Sequence, residues 1–189
     1  MTGKEERLVA AARKVLHRQG YAAMTLATVA HAANVPLGNV YYYFSKKREL
    51  GDAVVASRVA QLRAWLGDLD AAPEPVERLR AFVMNFADGA ETYAVEGCPF
   101  ANLAHDLERE PELAPATREL FAIQLQWLER QFRLSRAERA RERAAELLSA
   151  VHGACLVARA LGDAALLRRR MVLLARELTA ATLPRVRTS

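Results

Sequence analysis

Two cysteines and four histidines are the side chains here best suited to bond-making chemistry: Cys98, Cys155, His17, His31, His105 and His152. His152 and Cys155 stand at i and i+3 on one helical face and could share a metal ion, with Cys98 and His105 completing a set. The closely spaced ligand pairs that ordinarily build such a site are absent, so the pattern favours a core Cys155 and a His152 that lines a cavity. Cys98, between Gly97 and Pro99, is a candidate redox-sensing thiol, although a buried, inert cysteine is the simpler reading. A small helical thiol- or metal-dependent sensor or enzyme centred on Cys98, His105, His152 and Cys155 is therefore the alternative function. Asp106, Glu108, Glu110 and Glu112 alternate near prolines and read as a solvated helix end. With no nucleophile beside a base and no Gly-rich phosphate cradle, the expectation is a protein that is not an enzyme and needs neither metal nor cofactor.

A second group of residues suits a polyanion. Leu26, Val29, Ala30 and Ala33 form one short apolar stripe and Val40, Tyr41 and Phe44 another. Each is too short for a stable helix alone, so the two must pack together. Between them lies Ala33-Asn34-Val35-Pro36, where Asn tolerates the left-handed conformation of a tight turn and Pro suits the start of a helix. That is the spacing of a helix-turn-helix. Leu37, Gly38, Asn39, Tyr42 and Tyr43 fall outside the second stripe and present two phenols and an amide with almost no charge. Lys46, Lys47 and Arg48 follow directly. Cations in the first turn of a helix oppose its macrodipole, and a phosphate would remove that conflict.

The elements that must position these groups all read as helix. Thr2 to Glu5 matches a capping box, and Leu8, Ala12, Val15 and Leu16 then form a face ending at Gly20, with Tyr21 tucked behind it. Outward Lys4, Arg7, Lys14 and Arg18 are further phosphate candidates, or simply a solvated face. From Lys46 one long pattern runs through Leu50, Val54, Leu62 and Leu69 until Pro73-Glu74-Pro75, joining the basic segment to the rest. The spacing next predicts a helix from Val76 to near Gly97, a short one over 98–110, and a long one to Leu134. Ser135 reads as the N-cap of Arg136–Leu161, and Gly162-Asp163 separates that helix from Ala164–Leu183, which Pro184 stops. The last two helices carry more apolar surface than one core-facing stripe needs, and could bury it against a symmetry mate as a four-helix bundle.

Charge divides the chain in the same place. Residues 1–50 hold eight Lys or Arg against three Asp or Glu, a net +5, while the remaining 139 residues hold 19 of each and balance. All the surplus positive charge thus sits with the helix-turn-helix, as expected of a small module for a polyanion attached to a body with another job. No run approaches the ~18 uninterrupted apolar residues of a membrane span, and the N-terminus lacks a signal-peptide core, so a soluble, cytoplasmic protein without a membrane partner is expected.

Gly20-Tyr21, Thr25, Val29-Ala30, Asn34-Val35, Gly38, Tyr41-Tyr42-Tyr43-Phe44, Lys47 and Leu50 together are similar to the DNA-binding domain of the tetracycline-repressor (TetR) family of transcriptional regulators. The chain departs from that pattern at Asn34, usually Gly; Pro36, usually a hydroxyl cap; Lys46, usually Ser or Asn; and Arg48, usually acidic. The stretch from Gly97 to Leu103 resembles a segment of one subgroup. The resemblance implies an all-helical fold: a three-helix helix-turn-helix domain over 1–50 and a helical ligand-binding and dimerisation domain over 51–189. It also implies a homodimer formed through the helices Arg136–Leu161 and Ala164–Leu183. Double-stranded DNA carrying an inverted repeat becomes the expected partner, and a small-molecule inducer the expected ligand of a repressor. Leu37, Gly38 and Asn39 would then approach base edges, and Thr25, Tyr42, Tyr43, Lys46 and Lys47 would grip phosphates. In the body, Phe82, Phe86, Tyr93, Phe100, Phe121, Trp127 and Phe132 supply aromatic wall, with Asn102, His105, Gln124 and His152 as polar anchors. Phe86, Tyr93, Asn102, His105, Trp127 and His152 are the ligand-binding candidates.

Overall fold

The computed structural model describes residues 3–108 and 110–180, which form ten α-helices with no strand among them. In chain order these are α1 (Gly3–Ala23), α2 (Leu26–Ala33), α3 (Leu37–Tyr43), α4 (Lys47–Leu69), α5 (Pro75–Asp88), α6 (Ala90–Glu96), α7 (Pro99–Leu107), α8 (Ala114–Leu134), α9 (Ala140–Leu161) and α10 (Ala164–Ala180). The expected class, all-helical with an N-terminal helix-turn-helix, is the one observed. Thr2, Leu183 and Pro184, which the sequence offers as cap, end and stop, lie outside the described residues.

The helices gather into two compact units, Met1–Leu62 with Pro99–Phe121, and Arg63–Cys98 with Ala122–Ser189. The first is built on α1, which packs against α2 and α7, while α2 packs against α3. Its buried side chains include Leu8, Val15, Leu16, Tyr21, Met24, Val29, Val40, Phe44 and Leu50. With Ala11 and Ala12, the buried Leu8, Val15 and Leu16 of α1 recur at spacings of three and four, so a periodic stripe is what holds two helices too short to be stable alone. Gly20 kinks α1 at φ +78°, ψ 168°, a conformation open to glycine and hostile to a Cβ.

The second unit is organised around α10, which lies against α5, α6 and α9. Leu167, Met171, Leu174, Ala175 and Leu178 give α10 its buried face. Asp70, just after α4, ties the α4–α5 turn to α8. Its carboxylate accepts from Trp127 Nε1 at 3.0 Å, Gln131 Nε2 at 3.2 Å and Arg130 Nη2 at 2.5 Å. Arg78 closes the same turn by donating to the carbonyls of Ala72 (2.7 Å) and Pro73 (3.2 Å). Backbone groups that the prolines leave without helical partners are thereby satisfied.

Three local expectations are corrected. The single helix expected from Val76 to Gly97 breaks at Gly89 (φ −88°, ψ 10°), where a Cβ would meet the Tyr93 ring at 2.8 Å, and α6 starts anew at Ala90. Ser135 does not cap α9. Its hydroxyl donates back to the Phe132 carbonyl (2.8 Å), and left-handed Arg136 (φ 57°) and Arg139 (φ 52°) carry the chain on to a helix that begins at Ala140. Tyr41, expected on the buried stripe of α3, is 57% exposed. The helix ends at Tyr43, so Val40 is paired instead with Phe44, which follows in extended conformation (φ −135°) and is buried.

Candidate nucleic-acid interface

Reciprocal hydrogen bonds set the start of α2. Thr25 Oγ1 accepts from the Thr28 backbone N–H (3.0 Å) and the Thr25 N–H donates to Thr28 Oγ1 (2.8 Å), with threonine where a capping box more often has Glu or Gln. The helix ends at Asn34, left-handed at φ 53°, which lets the Asn34 and Val35 N–H groups reach the carbonyls of His31 and Ala30, each at 3.0 Å. Arg7 of α1 donates to the Ala33 carbonyl (3.1 Å), so this cation serves the negative end of α2. Pro36, at φ −57°, then delivers the chain into α3.

Only Val40 of α3 is fully buried. Leu37, Gly38, Asn39, Tyr41 and Tyr42 are exposed, Tyr42 at 83%, and Tyr43 is half-buried with its ring edge-on to Tyr42, 4.9 Å between centroids. At 100° per residue, Gly38 and Tyr42 form the centre of the outward face, with Leu37 and Tyr41 along one side and Asn39 along the other. Tyr41 therefore belongs with the candidates, and its place four residues after Leu37 was the available signal.

Beyond α3 the three basic residues differ. Lys46 is exposed. Lys47 is half-buried, its Nζ 4.1 Å from the centroid of the Tyr21 ring and 3.3 Å from the Ala22 carbonyl oxygen. Arg48 pairs with Glu112 (2.5 Å) and Asp52 (3.7 Å), both acids of its own unit. Glu49 accepts from the Ser45 hydroxyl (2.9 Å) and backbone N–H (2.7 Å), which hold its carboxyl below the ordinary range, the hydroxyl contributing most.

The second unit contains an aromatic cluster. Phe82 stacks with Trp65 (5.2 Å) and Trp127 (5.9 Å), and Phe86 contacts Phe82 (5.6 Å), Tyr93 (5.5 Å) and the His152 ring (6.0 Å). His152 Nδ1 lies 3.6 Å from Cys98 Sγ, and its Nε2 lies 3.3 Å from Gln124 Oε1. Burial pushes this imidazole down to about 4 and the Cys155 thiol up to about 12, Cys98 adding to the latter. His152 is thus neutral at pH 7, and a proton on Nε2 satisfies both neighbours: Nε2–H donates to Gln124 and Nδ1 accepts from the Cys98 thiol. No group of three or more His, Cys, Asp or Glu able to hold a metal occurs among the described residues. On the outer faces of α9 and α10, Leu156 (70%), Val157, Leu161 and Leu173 are exposed.

Comparison with known proteins names this arrangement. Residues 8–54, from within α1 to the first turns of α4, match the model for bacterial regulatory proteins of the TetR family. Residues 75–171 match the model for the C-terminal domain of LmrA/YxaF-like transcriptional regulators. The chain belongs to the TetR family of transcriptional regulators. The transcriptional regulator AcuR of Cereibacter sphaeroides is 28% identical over 108 residues, which are 56% of this chain and 49% of AcuR, so the match spans about half the length of that curated relative. A TetR-family regulator from Agrobacterium tumefaciens shares the fold with a TM-score of 0.80 at 24% identity, over 92% of this chain and 96% of the other. One from Streptomyces coelicolor gives 0.82 at 18% identity, over 95% and 96%.

Within this TetR-family chain, four of the six ligand-binding candidates are brought together: Phe86, Tyr93, Trp127 and His152 belong to the aromatic cluster. The other two stand in the first unit. Asn102 Nδ2 lies 3.3 Å from His17 Nδ1. His105 is exposed, 3.5 Å from Glu108, and both line a surface hollow of about 500 Å³ with Ala104, Ala114, Thr117, Arg118 and Phe121. Cys98, Cys155 and His152 share the second unit, and His105 does not join them.

Proposed function

We propose that this regulator binds an inverted-repeat DNA operator as a homodimer and is released from it by a small-molecule inducer, so that it acts as a repressor. The observation that carries the reading is the outward face of α3. Leu37, Gly38, Asn39, Tyr41 and Tyr42 hold no place in the buried core, while Val40 and Phe44 fix the helix from behind. Leu37 suits a thymine methyl and Asn39 an adenine edge. Thr25, Tyr42, Tyr43, Lys46 and Lys47 surround them with phosphate-binding groups, of which the two lysines supply the salt-dependent part of the affinity.

Residues 1–50 are the reading head in this view, and 51–189 the body that dimerises and senses. Leu156, Val157, Leu161 and Leu173 support dimerisation through α9 and α10, since exposed aliphatic side chains at helical spacing suit a second copy. α9 is long and apolar enough to cross a membrane. Its Leu147, Val151, Cys155 and Ala158 are buried in the second unit, which favours a core and interface helix of a cytoplasmic protein. Phe86, Tyr93, Trp127 and His152 are the proposed ligand wall, and a ligand acts only through its different affinity for the two spacings of the heads.

The test is selection of bound duplexes from a random pool, followed by affinity measurement at matched salt. A regulator of this kind prefers its palindrome over random duplex by ~10³ or more, and Asn39→Ala or Tyr42→Ala weakens operator binding with the fold intact. Equal affinity for both duplexes would sink the reading.

A further inference from the structure

We propose that Tyr21 is a positioning residue for the Lys47 ammonium, holding it where it meets a DNA phosphate; this rests on the DNA-binding reading above. Lys47 is the first residue of α4, where the positive end of the helix dipole disfavours a cation. Two groups from the end of α1 offset that conflict. The Tyr21 ring presents its face to Nζ at 4.1 Å, and the Ala22 carbonyl, at the negative end of α1, accepts from Nζ at 3.3 Å. The ring cannot drift away: Tyr21 is buried, and its edge lies 3.2 Å from where a Cβ on Gly51 would stand. The kink at Gly20 (φ +78°) immediately precedes Tyr21.

An ammonium has three N–H donors, of which the carbonyl takes one, and half-exposed Lys47 keeps donors for an anion. A lysine held between ring and carbonyl surrenders less rotamer freedom on meeting a phosphate than a free one does. Lys46, exposed and beside the Glu49 carboxylate, with no aromatic ring against its ammonium among the described residues, is the internal contrast.

The experiment uses the full chain and its selected duplex, with binding followed as log K against log salt. Lys47→Met lowers the slope by about one and weakens binding roughly eightfold near 0.1 M salt, the worth of one released counterion. Tyr21→Phe, which keeps the ring, leaves slope and affinity at wild-type values. Tyr21→Leu reproduces the Lys47→Met slope, and the double variant loses nothing more, whereas Lys46→Met lowers the slope in either Tyr21 background. Thermal melting checks that Tyr21→Leu folds; if it does not, Tyr21→Met, with flexible bulk, takes its place. A wild-type slope in Tyr21→Leu, or losses that add in the double variant, overturns the positioning role. A wild-type chain whose duplex binding ignores salt would overturn the DNA reading itself, which keeps the two failures apart.

Discussion

Tyr42 on α3 and Phe86 on α5 are both large aromatic rings, and they obey opposite rules. Phe86 is fully buried among Phe82, Tyr93 and His152, and the hydrophobic effect accounts for it without reference to any partner. Tyr42 is 83% exposed, pairs with the Tyr43 ring alone among the described residues, and contributes little to the core. A residue that the fold does not need is where a function can reside. A residue that the fold does need can serve a ligand only as a second duty. The comparison teaches that the proposed DNA face is separable from stability, whereas the proposed ligand wall is not.

The largest expected effect tests the buried side. Phe86→Ala removes a ring from a packed cluster and is expected to lower unfolding free energy by about 3–5 kcal/mol, measured by denaturant melting. Base preference of the fraction that remains folded should be unchanged. A loss under 1 kcal/mol would show that the cluster is loosely packed and already shaped for a guest.

Next comes the polar centre of the same cluster. Burial pulls the His152 imidazole from about 6.5 down to about 4, so folding favours its neutral form. The sign follows: this contribution is complete above pH 6.5 and is lost as pH falls towards 4, amounting to about 3 kcal/mol by linkage. Stability of the wild type between pH 7 and pH 4 should therefore fall more steeply than that of His152→Leu. The slope is the readout, because the substitution changes absolute stability for its own reasons. Parallel pH profiles would mean that His152 opens to water.

On the exposed side the effect moves from stability to binding. Tyr42→Ala should leave the melting temperature within the scatter of surface substitutions yet weaken operator binding by tenfold or more, as losing a well-placed contact of about 1–3 kcal/mol does. Gel-shift titration beside calorimetric melting separates the two. Equal destabilisation and binding loss would erase the distinction between Tyr42 and Phe86.

The same distinction explains what was legible in the sequence. Stripes such as Leu8, Ala12 and Val15 with Val29 and Val40 are period signals, and they announced the helix-turn-helix together with the left-handed turn at Asn34. The surplus charge of residues 1–50 and the phenol run marked the exposed face. Tyr41 was misplaced because the stripe was continued through a helix end, and periodicity does not foresee that Phe44 leaves the helix to reach the core. Gly89 and Ser135 were misjudged because their roles depend on the Tyr93 ring and the Phe132 carbonyl, contacts that a one-dimensional pattern of apolar residues cannot register. The ligand candidates rest on residue type alone. Asn102 and His105 fell to the first unit for that reason, since type does not say which way a helix turns its polar side.

The smallest effect lies between the two extremes, where Arg48 is held by Glu112. Both side chains are about half exposed, so their 2.5 Å contact is worth at most about 1 kcal/mol. Glu112→Gln should hardly move the melting temperature. It should nonetheless strengthen duplex binding slightly at low salt, because Arg48 would then carry charge that Glu112 no longer neutralises, and the gain should vanish as salt screens it. A stabilising or destabilising change of several kcal/mol would put this pair with Phe86, among the groups the fold requires. Unchanged binding at every salt concentration would place Arg48 away from the phosphates and confine the DNA face to α3, Thr25, Lys46 and Lys47.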